Sequence, residues 1–136
     1  MILLDEHLHG HSIMTAISAW FPGKVIPVIN LRPGSLVKDD VIPALLHKAV
    51  QPTFVTINVT DFWKKIRPHK NFCVVTVALI QDEIDEMPQL LRRLFRLREF
   101  KTKALRMGKV IHVTQNHIDY YEADRHIHSL PWPDKH

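Results

Sequence analysis

A single cysteine, Cys73, in 136 residues excludes any intramolecular disulfide, and with it the stapled scaffolds of small secreted proteins. Its neighbours in Phe72-Cys73-Val74-Val75 are apolar, so the thiol reads as a small core residue rather than a reactive one. Long apolar runs are missing as well: none approaches the roughly 20 residues that span a bilayer. The first residues lack the basic start and small-residue cleavage site of a secretory leader. These absences lead us to expect a cytoplasmic protein with no membrane segment. Internal repeats, linkers and breaks in composition are also lacking. The expected organisation is therefore one domain over 1–124 and a tail over 125–136, partly disordered, where Pro131 and Pro133 interrupt little pattern.

What is present is ordinary for a soluble domain: 46% apolar and 24% charged residues. The formal charge is +4, with ten histidines that add to it below neutral pH. The cations are unevenly placed. Lys64, Lys65, Arg67 and Lys70 form one cluster, and Arg92, Arg93, Arg96, Arg98, Lys101, Lys103, Arg106 and Lys109 form another. Basic clusters beside an acidic pocket suit a polyanionic substrate that is cut rather than merely held. They also fit a solvated helix face, or arginines that pair with an acidic partner protein.

The chain alternates strand and helix from residue 2 to about residue 95. Ile2-Leu3-Leu4-Asp5 reads as a buried strand, and Ile13, Ala16, Ile17 and Trp20 share one helical face that Phe21-Pro22-Gly23 stops. Val25 to Ile29 is a second strand, followed by a loop from Leu31 to Ser35. A helix opening at Asp39 and Asp40 carries Ile42, Leu45, Leu46 and Ala49 on one side, with Pro43 in its first turn. Thr53 to Ile57 is a third strand, and Asp61-Phe62-Trp63 starts a short helix or turn. Asn71 to Leu79, almost wholly apolar, is a strand buried on both faces. Ile84, Met87, Leu90, Leu91, Leu94 and Phe95 mark a long helix with Pro88 in its first position. Residues 100–107 continue as helix or turn until Gly108. Strands over 109–114 and 117–121 close the chain, the last as a half-exposed edge. This order predicts an α/β fold with a mostly parallel sheet, helices on both faces and an antiparallel C-terminal hairpin.

The chemistry falls on acids at strand and helix ends. In open α/β sheets, ligands bind outside the carboxyl ends of the strands. Asp5 follows the first strand, Asp61 follows the third, and Asp40 starts a helix, with Glu6 and Asn58 adjacent. A carboxylate ending an all-apolar strand otherwise needs a buried partner. Mg²⁺ or Mn²⁺ takes hard oxygen donors, one or two carboxylates sufficing with water and substrate phosphate. The alternative is structural: Asp39 and Asp40 as helix caps, and Asp61 capping its own short helix.

On these residues the chain resembles a known group. Ile2-Leu3-Leu4-Asp5-Glu6 is similar to the "LLDEN" start of the PIN-like proteins of unknown function, relatives of the PIN-domain nucleases. Asp39-Asp40-Val41-Ile42 resembles their "DEEI" helix start, and the run from Val55 to Phe62 resembles their "VTRDKDF" segment. The resemblance covers residues 2 to about 122. It implies a three-layer α/β/α PIN-like fold and, in the nucleases, hydrolysis of RNA phosphodiesters by acids that bind Mg²⁺ or Mn²⁺. Many such proteins are toxins of toxin–antitoxin pairs, so an antitoxin partner is implied, and dimers are usual among them. Position by position, Asp5 matches the first acid, Asp61 the last, and Asp40 or Asp39 the helix-start acid. Glu6 and Asn58 assist.

The departures are specific. Asn58 stands where the first acid of the third motif belongs, after one extra residue, and offers a carbonyl but no charge. His7 replaces the usual Asn and His9 the usual Pro. They imply an alternative: a PIN-like module that binds nucleic acid or a protein without cleaving. His7, His9 and His11 alternate and could gather a transition metal if extended, although a helix starting at Gly10 separates them. His126, His128 and His136 read as tail residues. Trp63 beside Lys64 and Lys65 suits a single-stranded RNA contact, as it suits plain packing on the sheet. Arg67, Arg92 and Arg96 complete the expected RNA-binding set.

Overall fold

A computed structural model of the chain describes residues 1–8, 11–31 and 41–133. Strand β1 (Ile2–Leu4) is followed by a 3₁₀ turn (Glu6–Leu8) and helix α1 (His11–Ser18). Then come β2 (Val25–Pro27), a 3₁₀ turn (Val28–Leu31), α2 (Ile42–Lys48), β3 (Thr53–Thr56) and α3 (Val59–Phe62). The second half holds β4 (Cys73–Val77), a 3₁₀ segment (Gln81–Glu86), α4 (Met87–Phe95), a 3₁₀ turn (Arg98–Phe100) and α5 (Lys103–Arg106). Three strands finish it: β5 (Val110–Val113), β6 (His117–Tyr121) and β7 (His128–Pro131).

The described strands form one sheet in the order β2-β1-β3-β4-β5-β6-β7. The pairs from β2 through β5 are parallel, and the β5–β6 and β6–β7 pairs are antiparallel. The expected α/β architecture with an antiparallel C-terminal hairpin is therefore the observed one. Successive side chains of a strand face opposite ways, and the core divides accordingly. Ile2 and Leu4 join Val55, Cys73, Val75 and Ile111 under α1 and α4. Leu3 joins Phe54, Val74, Val110 and Tyr121 under α2 and α3. Helices thus cover both faces, which is why β4 carries no polar residue except Thr76. Among the described residues no helix is long and apolar enough to cross a membrane.

Several boundaries differ from the sequence reading. The second strand stops at Pro27, because the imide nitrogen cannot continue the ladder, and Val28–Leu31 turns. The long helix splits into a 3₁₀ segment and α4, with Pro88 in the first turn of the latter. The largest difference is the C-terminal segment. Where the sequence shows little pattern, His128–Pro131 pairs with β6, so β7 and not β6 is the sheet edge. Trp132 fastens it: its indole Nε1–H donates to the Thr114 carbonyl at 2.7 Å, and Arg93 lies over the ring at 4.4 Å.

Cys73 is fully buried, and burial pushes its thiol up to about 12, an inert core position. Gly108 has φ +88°, a conformation that favours glycine, where α5 gives way to β5. The expected acids Asp39 and Asp40, the loop residues after Leu31, and His9 lie outside the described residues, as do the side chains of His7 and His11.

Candidate functional site

The crossover from β1 to β2 leaves in one direction and the return from β2 to β3 passes to the other side of β1. The carboxyl ends of β1 and β3 are thus the point where the strand order reverses, the place where an open sheet leaves a crevice. Asp5 and Thr56 meet there. Leu4 pairs with Val55, and the Asp5 amide donates to the Val55 carbonyl at 3.0 Å, which sets Asp5 beside Thr56.

Asp5 is only 6% exposed. A carboxylate at that depth needs hydrogen-bond donors, and among the described residues it has two. The Thr56 hydroxyl donates to Oδ2 at 2.6 Å, and the Glu6 amide donates to Oδ1 at 2.8 Å. The hydroxyl then accepts the Asn58 amide at 2.9 Å. Asn58 caps α3: its Oδ1 accepts from the Asp61 amide at 3.2 Å, while its Nδ2 donates to the Asp61 carboxylate at 2.7 Å. A continuous chain of hydrogen bonds therefore runs Asp5–Thr56–Asn58–Asp61 and sets the two acids on one rim. Asn58, not Asp61, is the helix cap, so capping does not account for the Asp61 carboxylate. Glu6 opens the 3₁₀ turn beside Asp5.

Thr56 escaped the sequence reading, which attended to charge. Its signal is a hydroxyl at the carboxyl end of a fully buried strand, directly opposite the next strand's Thr76. That pair extends. Thr56, Thr76, His112, Asp119 and Ser129 are register partners in turn across five strands, all on the face of Leu3 and Phe54. The Thr76 hydroxyl donates to the Ile111 carbonyl at 3.1 Å and lies 3.1 Å from His112 Nδ1, which makes Nδ1 the protonated nitrogen. Burial holds the His112 imidazole below its ordinary pKa; Asp119 opposes this and His117 and Lys64 add to it. Asp119 accepts from Ser129 at 2.6 Å and pairs with His117 at 3.1 Å.

Trp63, at the end of α3, stacks on His112 with ring centroids 5.2 Å apart and 26° between planes. It packs on the sheet rather than projecting as a platform. Behind it the segment 63–72 is anchored by the Tyr121 hydroxyl, which donates to the Ile66 carbonyl at 2.7 Å. This fixes a groove of about 250 Å³ between α2 and that segment, lined by His47, Asp61, Lys65, Arg67, His69 and Phe72 among others. His47 and His69 meet edge to face at 4.4 Å. Lys65 and Arg67 also border a second basin of about 590 Å³ shared with Arg125. Asp61 belongs both to the hydrogen-bonded chain and to the groove.

The expected RNA-binding set divides. Lys65 and Arg67 line the groove with Asp61, whereas Arg92 on α4 and Arg96 at its C-terminal end lie across the sheet, in a separate cleft with Trp20 and Phe95. Among the described residues, no three His, Cys, Asp or Glu side chains gather closely enough to cage a metal. Were Mg²⁺ bound at this rim, Asp5 and Asp61 would be the carboxylates to hold it, with water completing its shell. Each Asp5 oxygen keeps a lone pair beyond the hydrogen bond it accepts, so these hard oxygen donors fit such a cation. Comparison of the chain with protein-family models, curated proteins and solved structures finds no match.

Proposed function

We propose that the chain is a metal-dependent endoribonuclease of the PIN-like kind that its motifs resemble, with its site at the carboxyl rim of β1 and β3. The observation that carries this reading is the hydrogen-bonded line from buried Asp5 to Asp61, opening directly into a groove lined by Lys65 and Arg67. Asp5 and Asp61 would hold Mg²⁺ or Mn²⁺, with Asp40 as a third ligand and Glu6 beside them. Such a cation polarises the phosphoryl oxygens and lowers the pKa of a bound water. The remaining work belongs to the chain. Thr56 fixes the Asp5 carboxylate by donating to one oxygen. Lys65 and Arg67 bind the RNA backbone next to Asp61, and the rings of His47, His69 and Phe72 offer faces on which an unpaired base stacks.

One observation favours a second reading, a module that binds RNA without cutting it. The Asn58 amide engages the Asp61 carboxylate directly, which competes with a metal for the same oxygen. Incubating the purified chain with single-stranded RNA and Mn²⁺ separates the two. Cleavage that Asp5→Asn and Asp61→Asn each abolish is the expected result. Cleavage that survives Asp5→Asn removes the assigned site, and RNA binding without cleavage under any divalent cation selects the binding module.

A further inference from the structure

Arg106 is 7% exposed, and none of the described carboxylates lies within ion-pair distance of it. A buried guanidinium without a counter-charge is costly. Two backbone carbonyls, those of Phe100 and Lys101, accept from one of its terminal nitrogens at 3.0 and 3.3 Å, and the Phe95 ring lies under it at 4.1 Å. These satisfy part of the group and neutralise none of it. Its Nε is buried without a hydrogen-bond partner, and so is Trp20 Nε1. Burial pulls the Arg106 guanidinium below its ordinary pKa, opposed in lesser part by Cys73.

Both side chains line one cleft of about 340 Å³. Arg92, Arg96 and Lys101 border it too, so four cations converge, and among the described residues no acid lines it. Like charges so placed repel unless an anion joins them. The apolar wall is aromatic: Trp20, Phe21 and Phe95 meet pairwise at 5.8–6.1 Å. The location is also distinct. α1 starts after the carboxyl rim and runs back, so Trp20 and Phe21 stand at the amino ends of the strands, on the face opposite Leu3 and Phe54.

We propose that this cleft is a second binding site, for a phosphomonoester dianion carried on a flat ring, that is, a mononucleotide. Three arginines and a lysine match a dianion better than a single carboxylate. Arginine's planar fork suits phosphate oxygens, and the indole and phenyl rings suit a base. The volume lies in the range of small-molecule sites, not of extended partner grooves. The site is independent of the nuclease reading.

The test is calorimetric titration of the full chain with adenosine monophosphate, inorganic phosphate and adenosine. The expected order is tightest for the nucleotide, weaker for phosphate and none for adenosine. Arg92 and Arg96 are exposed, so the double variant Arg92→Gln, Arg96→Gln should fold normally and bind the nucleotide at least about tenfold more weakly. Asp5→Asn should bind it unchanged. No heat at millimolar nucleotide, equal affinity for phosphate and nucleotide, binding indifferent to the double variant, or binding lost in Asp5→Asn would each overturn the proposal. Arg106→Lys, checked for folding by circular dichroism, should weaken binding as well.

Discussion

At the carboxyl rim a buried anion has been given its donors by the chain itself, whereas in the cleft across the sheet a buried cation has not been given an anion. Asp5 accepts from Thr56 and Glu6, and the line continues to Asp61. Arg106 has two carbonyls and a ring but no negative charge. In the first arrangement both carboxylate oxygens of Asp5 have a donor from the chain. The second leaves the buried Arg106 Nε and Trp20 Nε1 without hydrogen-bond partners. The two basic groups lie at separate clefts on opposite faces of one sheet.

The comparison can be broken by mutation. Thr56→Val should have the largest effect, because it removes the donor to Asp5 and the acceptor of the Asn58 amide while conserving volume. A loss of about 1–3 kcal/mol in urea unfolding is expected, together with loss of RNA cleavage. By contrast, the Arg92→Gln, Arg96→Gln pair should leave the unfolding midpoint unchanged or slightly raised. A destabilisation equal to that of Thr56→Val would erase the distinction between the regions.

Lys65→Gln with Arg67→Gln should weaken single-stranded RNA binding roughly tenfold at low salt and flatten its salt dependence by about one to two phosphate contacts. Fluorescence anisotropy across a salt series measures both, and an unchanged slope would detach the groove from RNA. Asn58→Asp keeps a good helix cap but sets a second carboxylate against Asp61. Its thermal midpoint should fall in EDTA and recover with Mn²⁺, more than the parent chain gains. Equal behaviour with and without the cation would argue against a metal at this rim.

The smallest effect concerns pH. The folded pKa of His112 lies below the value it takes when unfolded, so the unfolded chain binds its proton first as pH falls. Stability from this group is present above the unfolded pKa and declines as the pH drops below about 6.5. His112→Phe, which retains a ring beneath Trp63, should reduce the loss in thermal midpoint between pH 7 and pH 5. An identical pH slope in the variant would show that the shift is not expressed in stability.

Much of this was legible before the fold was known, and for a local reason. Periodicity in Ile2-Leu3-Leu4, Thr53 to Ile57 and Asn71 to Leu79 announces buried strands, because burial on both faces demands apolar side chains throughout. Asp5 stood out as a charge at the end of such a strand. The β7 strand was not legible, since an exposed edge needs no apolar alternation and His128–Pro131 is held by ladder bonds and by Trp132. Nor was the role of Asn58, which reads as a lost acid in a motif and is a helix cap in space.

The amino-acid order by itself determined the alternation of strand and helix, the parallel character of the sheet and the acids at its strand ends, because each depends on neighbours within a few residues. Only the tertiary structure decided which polar groups meet: that Thr56 serves Asp5, that Thr56, Thr76, His112, Asp119 and Ser129 form one row, and that Arg106 is enclosed without a carboxylate. Those outcomes depend on register between strands and on helices brought together from distant parts of the chain, and spacing along the chain does not encode them one by one.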